Sequence, residues 1–179
     1  MIYIETMIYH PVGKVAVFFL LIYAVLVLLP KMLQFIQRKK IYEKIDELCM
    51  NAVPYSVESF RTKRKKEMKL KPEYKKHFNC KGVYILHNVT KDKYYVGQSI
   101  HLMDRVNQHF SGTGNQELYY DYAISKDYFI IRMIPLKDSG FRSLNTLERF
   151  AIGRYQGFVK GYNKNRGNKT KDNKKQKEN

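Results

Sequence analysis

The chain has 179 residues, and its 33 Lys and Arg against 16 Asp and Glu give a formal charge of +17. That length allows one ordinary domain with appendages rather than two full domains, and a 44% hydrophobic share excludes a wholly disordered chain. Two cysteines, Cys49 and Cys80, exclude a disulfide scaffold or a Cys-rich zinc site, and the charge excess points to a polyanion, either nucleic acid or an anionic membrane surface.

Residues 1–30 hold one base and one acid, so the charge lies elsewhere. They contain a continuous apolar run from Val15 to Leu29. Fifteen helical residues span roughly 22 Å, short of a hydrocarbon core of about 30 Å. Val12 and Gly13 extend the run upstream if Lys14 snorkels, and Met32, Leu33, Phe35 and Ile36 extend it downstream. The absence of Lys and Arg before Lys14 argues against a signal peptide. The absence of a polar stripe argues against an ordinary core helix. Residues 1–36 are therefore read as a membrane anchor spanning about 12–33. Lys31, Arg38, Lys39, Lys40 and Lys44 come after the run, and the positive-inside bias places everything beyond it in the cytoplasm.

Residues 31–81 hold 15 bases and 6 acids. Near-helical spacing of Met32, Leu33, Phe35, Ile36, Ile41, Ile45 and Leu48 predicts a helix over 31–50. Pro54 and Pro72 punctuate the next stretch, and residues 37–79 read as a basic, helical juxtamembrane linker. Its basic run carries Lys63, Arg64, Lys65 and Lys66, which suit phosphates of a lipid surface or of nucleic acid.

Residues 82–159 hold 9 bases and 7 acids, and they carry most of the regular patterning. Residues 82–88 and 94–98 read as two strands joined by the polar turn 90–93. Leu102, Val106 and Phe110 mark one line of a helix, and Arg105 and His109, four apart, share its neighbouring face. Residues 111–115 break that helix, and 117–124 favour a short one. Residues 128–135 read as a buried strand closed by proline. Ser143 is positioned to cap a last helix running to about Tyr155. Glu148 falls on the apolar line of that helix, between Leu144 and Ile152. An inward carboxylate is costly without a partner or a role. It is either a rim glutamate paired with Arg149 or Arg154, or a functional group. Residues 160–179 hold 8 bases and 2 acids, and 167–179 read as a disordered basic tail. The expected architecture is α+β: a small three-stranded antiparallel sheet flanked by helices, preceded by a transmembrane helix and the basic helical linker.

Gly82-Val83-Tyr84 and, ten residues on, Tyr95-Val96-Gly97 resemble the paired signature of the GIY-YIG nuclease superfamily. Arg105 and His109 come next as an Arg-x-x-x-His pair, Glu148 lies on a later helix, and Asn163 stands in Gly-Tyr-Asn beyond it. Asn88 after the first strand fits the same pattern, and the resemblance covers residues 80–166. It implies hydrolysis of DNA phosphodiester bonds with one divalent cation, Mg2+ or Mn2+. Glu148 would be the metal ligand and Arg105 would face the scissile phosphate. Tyr84 and Tyr95 would lie near the attacking water, the first often cast as general base. His109 would support a tyrosine or the phosphate, and Asn163 would secure that end of the structure. Gly97 and the basic run 63–66 are further candidate nucleic-acid contacts. Gln98 stands after Tyr-Val-Gly, where some members carry Lys. The residue types suit this chemistry, because a planar guanidinium grips phosphate oxygens and a hard cation prefers carboxylate and water oxygens. A tyrosine of ordinary pKa near 10 needs nearby cations to become a base. Partners implied are DNA and the lipid bilayer. The alternatives are a tethered module that grips DNA without cutting it, and a basic segment that contacts lipid only.

Overall fold

A computed structural model describes residues 11–69 and 79–168. The expected tail falls outside these residues from 169 onward, as does Pro72. The chain divides into two units, 1–43 and 44–179.

In the first unit the apolar run is helical, as its composition requires. Helix α1 spans Pro11–Tyr23, a wider π-type turn comes next at Ala24–Leu28, and α2 spans Leu29–Asn51, passing into the second unit. Leu29 N–H bonds to Ala24 O, five residues back. This wider turn lies directly before Pro30, whose ring lacks a donor and crowds the preceding turn, and the widening relieves that crowding. The helical stretch Lys14–Asn51 is, among the described residues, the one long and apolar enough to cross a membrane, and none of its apolar window is buried by the chain. Leu26, for instance, is 69% exposed.

The second unit is built on an antiparallel sheet. Strand β1 is Tyr55–Ser56, β2 is Gly82–Asn88, β3 is Lys93–Ser99 and β4 is Phe129–Pro135. Their order is β1-β4-β2-β3, so β3 is an edge. The helices are α3 (Val57–Met68), α4 (Leu102–Phe110), α5 (Gln116–Ala123) and α6 (Leu144–Arg154). Sequence pattern predicts three strands; the sheet has four. The extra one is two residues long, too short to show a period of two, and it forms by pairing Tyr55 with Ile131 and Ser56 with Ile130 across more than 70 positions of sequence.

Alternation along the strands sends residues to two faces. Tyr84 and Leu86 of β2 and Phe129 and Ile131 of β4 point to one face, where they pack with Val57 and Phe60 of α3, with Leu102, Met103, Val106 and Phe110 of α4, and with Leu118 of α5. Helix α6 covers the other face, burying Leu147, Ala151 and Ile152 beside Val83, Ile85 and Val96. The segment read as a linker thus supplies both an edge strand and core side chains: Phe60 is fully buried, and burying a phenyl ring contributes roughly 1.5–3 kcal/mol. Ser56 caps α3 by accepting from Ser59 N–H, and Ser143 caps α6 by accepting from Thr146 N–H, the start that the sequence predicts.

Candidate functional site

Register places the first half of the site. Tyr84 of β2 lies opposite Gly97 of β3, and Leu86 lies opposite Tyr95, so both tyrosines project from the face that α4 covers. A side chain at Gly97 would collide with the Tyr84 hydroxyl. The glycine is therefore required by the close approach of the phenol. It is itself buried, and what it offers a ligand is backbone.

Helix α4 delivers Arg105 and His109 from successive turns of one face. The His109 ring lies between the tyrosines, with centroids 5.5 Å from Tyr84 and 4.7 Å from Tyr95. Its Nε2 is 2.9 Å from the Tyr84 hydroxyl, and its Nδ1 accepts from Asn115 N–H at 3.0 Å. Arg105 Nη1 donates to Gln108 Oε1 at 2.7 Å, and its charge reaches Tyr84, Tyr95 and His109. Burial, seconded by the Arg105 charge, pushes the His109 pKa down to about 4, so the ring is neutral at pH 7. Burial raises Tyr84 far above the ordinary phenol range and raises Tyr95 as well; at both it outweighs the opposing pull of Arg105. The guanidinium alone does not turn either phenol into a base.

Glu148 comes from the other face, on α6, and is 9% exposed. Its Oε2 accepts from Gln98 Nε2 at 3.0 Å, and the same amide nitrogen donates to Asn145 Oδ1 at 2.7 Å. Main-chain N–H groups of Asn168 and Gln98 also face the carboxylate, yet burial prevails and raises its pKa. The pairing with Arg154 considered from sequence gives way to another: Arg154 is held by Asp46 at 2.8 Å. The Glu148 charge is felt at Tyr95, so the carboxylate lies within electrostatic reach of the tyrosine cluster around the β3 edge.

Asn163 occupies that edge. Its Oδ1 accepts from Val96 N–H at 2.9 Å and its Nδ2 donates to Val96 O at 2.7 Å, so the side chain pairs with the strand as a neighbouring strand would. Tyr162 fixes it there: its N–H donates to Tyr94 O at 2.9 Å, and its hydroxyl donates to Asp121 and accepts from Asn88 Nδ2, both at 2.7 Å. Asn88 is therefore part of a buried scaffold with Asp121 and Asp127, and the exposed Lys91 pairs with both carboxylates from outside.

Tyr84, Tyr95, Arg105, His109 and Glu148 are thus brought together, with Asn163 beside them. The basic run is not among them. Lys63 pairs with Glu67 at 2.9 Å and Arg64 with Asp104 at 2.9 Å, while Lys65 and Lys66 are exposed on the last turn of α3. His87 stacks on Tyr94 at 4.0 Å and is half-buried. Sequence reasoning missed Gln98 as the partner of Glu148 and Asn145 as the second partner of Gln98. The signal was present, since Asn145 precedes Glu148 by three on one helix face and Gln98 directly succeeds the second motif.

For a metal ion, the described residues contain no group of three or more His, Cys, Asp or Glu. What they offer is one carboxylate and one amide oxygen converging on the Gln98 amide. Hard oxygen donors few in number fit a cation such as Mg2+, which keeps several of its waters. They do not fit a four-ligand thiolate or imidazole site.

Residues 80–163 match the GIY-YIG catalytic domain family. This part of the chain is a GIY-YIG domain, which supports a nuclease-type function. No curated protein and no solved structure matches the chain.

Proposed function

We propose that the chain is a membrane-anchored endonuclease that hydrolyses DNA phosphodiester bonds with one divalent cation, Mg2+ or Mn2+. The observation that carries the reading is the convergence of Tyr84, Tyr95, Arg105 and His109 from one sheet face with Glu148 from the other at the β3 edge. Arg105 presents a planar fork of donors to a phosphate and needs only to exchange its surface contact with Gln108. Tyr84 and Tyr95 place two hydroxyls where an attacking water would be held and oriented. Glu148 would hold the cation, with Gln98 fixing the carboxylate and Asn145 fixing Gln98. When bound, the cation supplies positive charge that stabilises the added charge of the pentacoordinate transition state. His109, neutral and buried, supports Tyr84 rather than gripping phosphate as a cation. Asn163 keeps β3 straight beneath Tyr95.

Supporting the anchor is the exposed apolar helix Lys14–Asn51. Supporting the cytoplasmic orientation are the bases that come after its apolar part. The test is incubation of the full chain, in detergent micelles, with single-stranded, double-stranded and branched DNA and either Mg2+ or Mn2+. Cleavage of at least one form is expected, and its loss in Glu148→Ala. Undiminished cleavage by Glu148→Ala would sink the assigned chemistry. Salt-sensitive binding without any cleavage would instead favour a tethered DNA-gripping module.

A further inference from the structure

The loop between α4 and α5, residues 111–115, reads from sequence as nothing more than a helix break. In the fold it lies against His109. Asn115 N–H points at His109 Nδ1 at 3.0 Å. Gly114 makes the approach feasible: a side chain there would stand 2.7 Å from both Cα and Nδ1 of His109. Asn115 is anchored from three directions. Its Oδ1 accepts from Leu118 N–H at 3.0 Å, its Nδ2 donates to Tyr162 O at 3.0 Å, and its own carbonyl accepts from Tyr119 N–H at 3.0 Å.

A main-chain N–H only donates. Its acceptor on a neutral imidazole must be the unprotonated nitrogen, so the ring proton resides on the other one. We propose that the Asn115 main-chain N–H is a positioning group that locks His109 as the Nε2–H tautomer, so that His109 donates to the Tyr84 hydroxyl instead of accepting from it. The Tyr84 oxygen then has its acceptor role filled by His109, and its own proton is free to point away from the helix. Tyr95 is the neighbouring phenol, its ring 6.1 Å from that of Tyr84 between centroids, and the two groups are electrostatically coupled. The chain of donors runs Asn115 to His109 to Tyr84, and His109 cannot take a proton from Tyr84 without breaking its bond to Asn115. The Tyr84 proton is thus left for the neighbouring Tyr95 oxygen or a water between them, and Tyr95 is the phenol whose anion that proton would support. This consequence for cleavage rests on the nuclease reading above; the tautomer does not.

The experiment separates the two. The full chain in detergent micelles is labelled with 15N histidine, and the His109 signals are assigned by their loss in His109→Gln. At neutral pH the expected pattern is one protonated ring nitrogen at Nε2 and one unprotonated at Nδ1. Asn115→Pro removes the N–H, and the backbone accepts it, since φ is −76°. Asn115→Ala keeps the N–H but loses the same side-chain contacts. Asn115→Ala should retain the single tautomer, whereas Asn115→Pro should show averaged signals of two tautomers. Gly114→Ala, which pushes the loop off the ring without removing any donor, should do the same and guards against a fold defect peculiar to proline. In cleavage, kcat of Asn115→Pro should fall on the order of 10-fold below that of Asn115→Ala, with KM alike. An Nδ1–H tautomer in the unaltered chain, or a single Nε2–H tautomer retained in both Asn115→Pro and Gly114→Ala, would overturn the proposal. A correct tautomer pattern with no cleavage of any DNA would overturn the nuclease reading and leave the tautomer lock standing.

Discussion

Glu148→Gln should make the folded chain more stable at pH 7 while abolishing cleavage. The carboxylate is 9% exposed, and the donors that face it are neutral: the Gln98 amide and the main-chain N–H groups of Asn168 and Gln98. Burial consequently raises its pKa above the ordinary value. For an acid raised in this way, the unfolded chain gives up its proton first. Stability is therefore lost as pH rises from the unfolded value, about 4.3, to the folded one, and stays reduced beyond it. Glutamine matches the protonated acid in shape and retains an oxygen. It removes the buried charge that the raised pKa shows to be unfavourable, and a gain of about 0.5–2 kcal/mol, the size of typical single stabilising substitutions, is expected. For a chain of this length that is a rise in Tm of about 2–4 °C per kcal/mol. Thermal or denaturant unfolding of both chains in the same detergent, at pH 7 and again below pH 4, measures it. The two should converge at the acid end, where the unaltered Glu148 is protonated in both states. Adding Mg2+ at pH 7 should raise the stability of the unaltered chain and leave Glu148→Gln unmoved. A lower stability for Glu148→Gln at pH 7, or a gap that widens toward low pH, would show that the carboxylate holds the fold together and would refute the reasoning.

Asn163→Ala removes two hydrogen bonds from Val96 and should cost about 1–2 kcal/mol. Asn163→Asp keeps an acceptor for Val96 N–H but sets a carboxylate against Val96 O, so its loss should exceed that of alanine; equal unfolding midpoints would count against strand mimicry. Phe60→Ala should cost about 3–5 kcal/mol, because the ring is fully buried in the sheet core; a loss below about 1 kcal/mol would return α3 to the status of a linker. Changing Lys65 and Lys66 to Gln should lessen the salt dependence of DNA binding by about 1 for each lysine that meets a phosphate. Arg64→Ala should leave that slope unchanged, since Arg64 is held by Asp104; a larger change with Arg64 than with the two lysines would reverse the assignment.

The β2–β3 hairpin, α4 and α6 were legible because each shows its own period, and Glu148 stood out because a carboxylate interrupts an apolar helical line. Strand β1 was not legible: its two residues gain their partners from β4, far along the chain. Nor was the role of α3, in which Val57 and Phe60 are buried within a segment whose bases dominate the composition. Charge density advertised a solvated spacer, while two apolar residues one turn apart decided the packing. The site residues were legible as types, but their hydrogen bonds were not. Gln98 looked like a departure from a lysine and turns out to hold Glu148. The direction of the His109 bond depends on a main-chain group, Asn115 N–H, that no side-chain pattern encodes.

The location of the site has a physical reason in the sheet itself. An edge strand exposes a row of unpaired N–H and C=O groups, which invites pairing with other chains. Along the outer side of β3 these groups are taken in turn: Tyr94 O by Tyr162 N–H, Val96 N–H and O by Asn163, and Gln98 N–H by the Glu148 carboxylate. The devices that quiet the edge are therefore also what bring Asn163 and Glu148 to it. One step inside, Gly97 leaves room for the Tyr84 hydroxyl on the α4 face. The +17 of the chain plays little part at this point, where the residues between 82 and 159 hold only two more bases than acids. Removing surface lysines should thus weaken the hold on a polyanion while leaving the geometry of the β3 edge intact, whereas Asn163→Ala should disturb that geometry while leaving the salt dependence alone. The two classes of variant separate attraction from alignment, and a lysine variant that altered the His109 ring signals would contradict the separation.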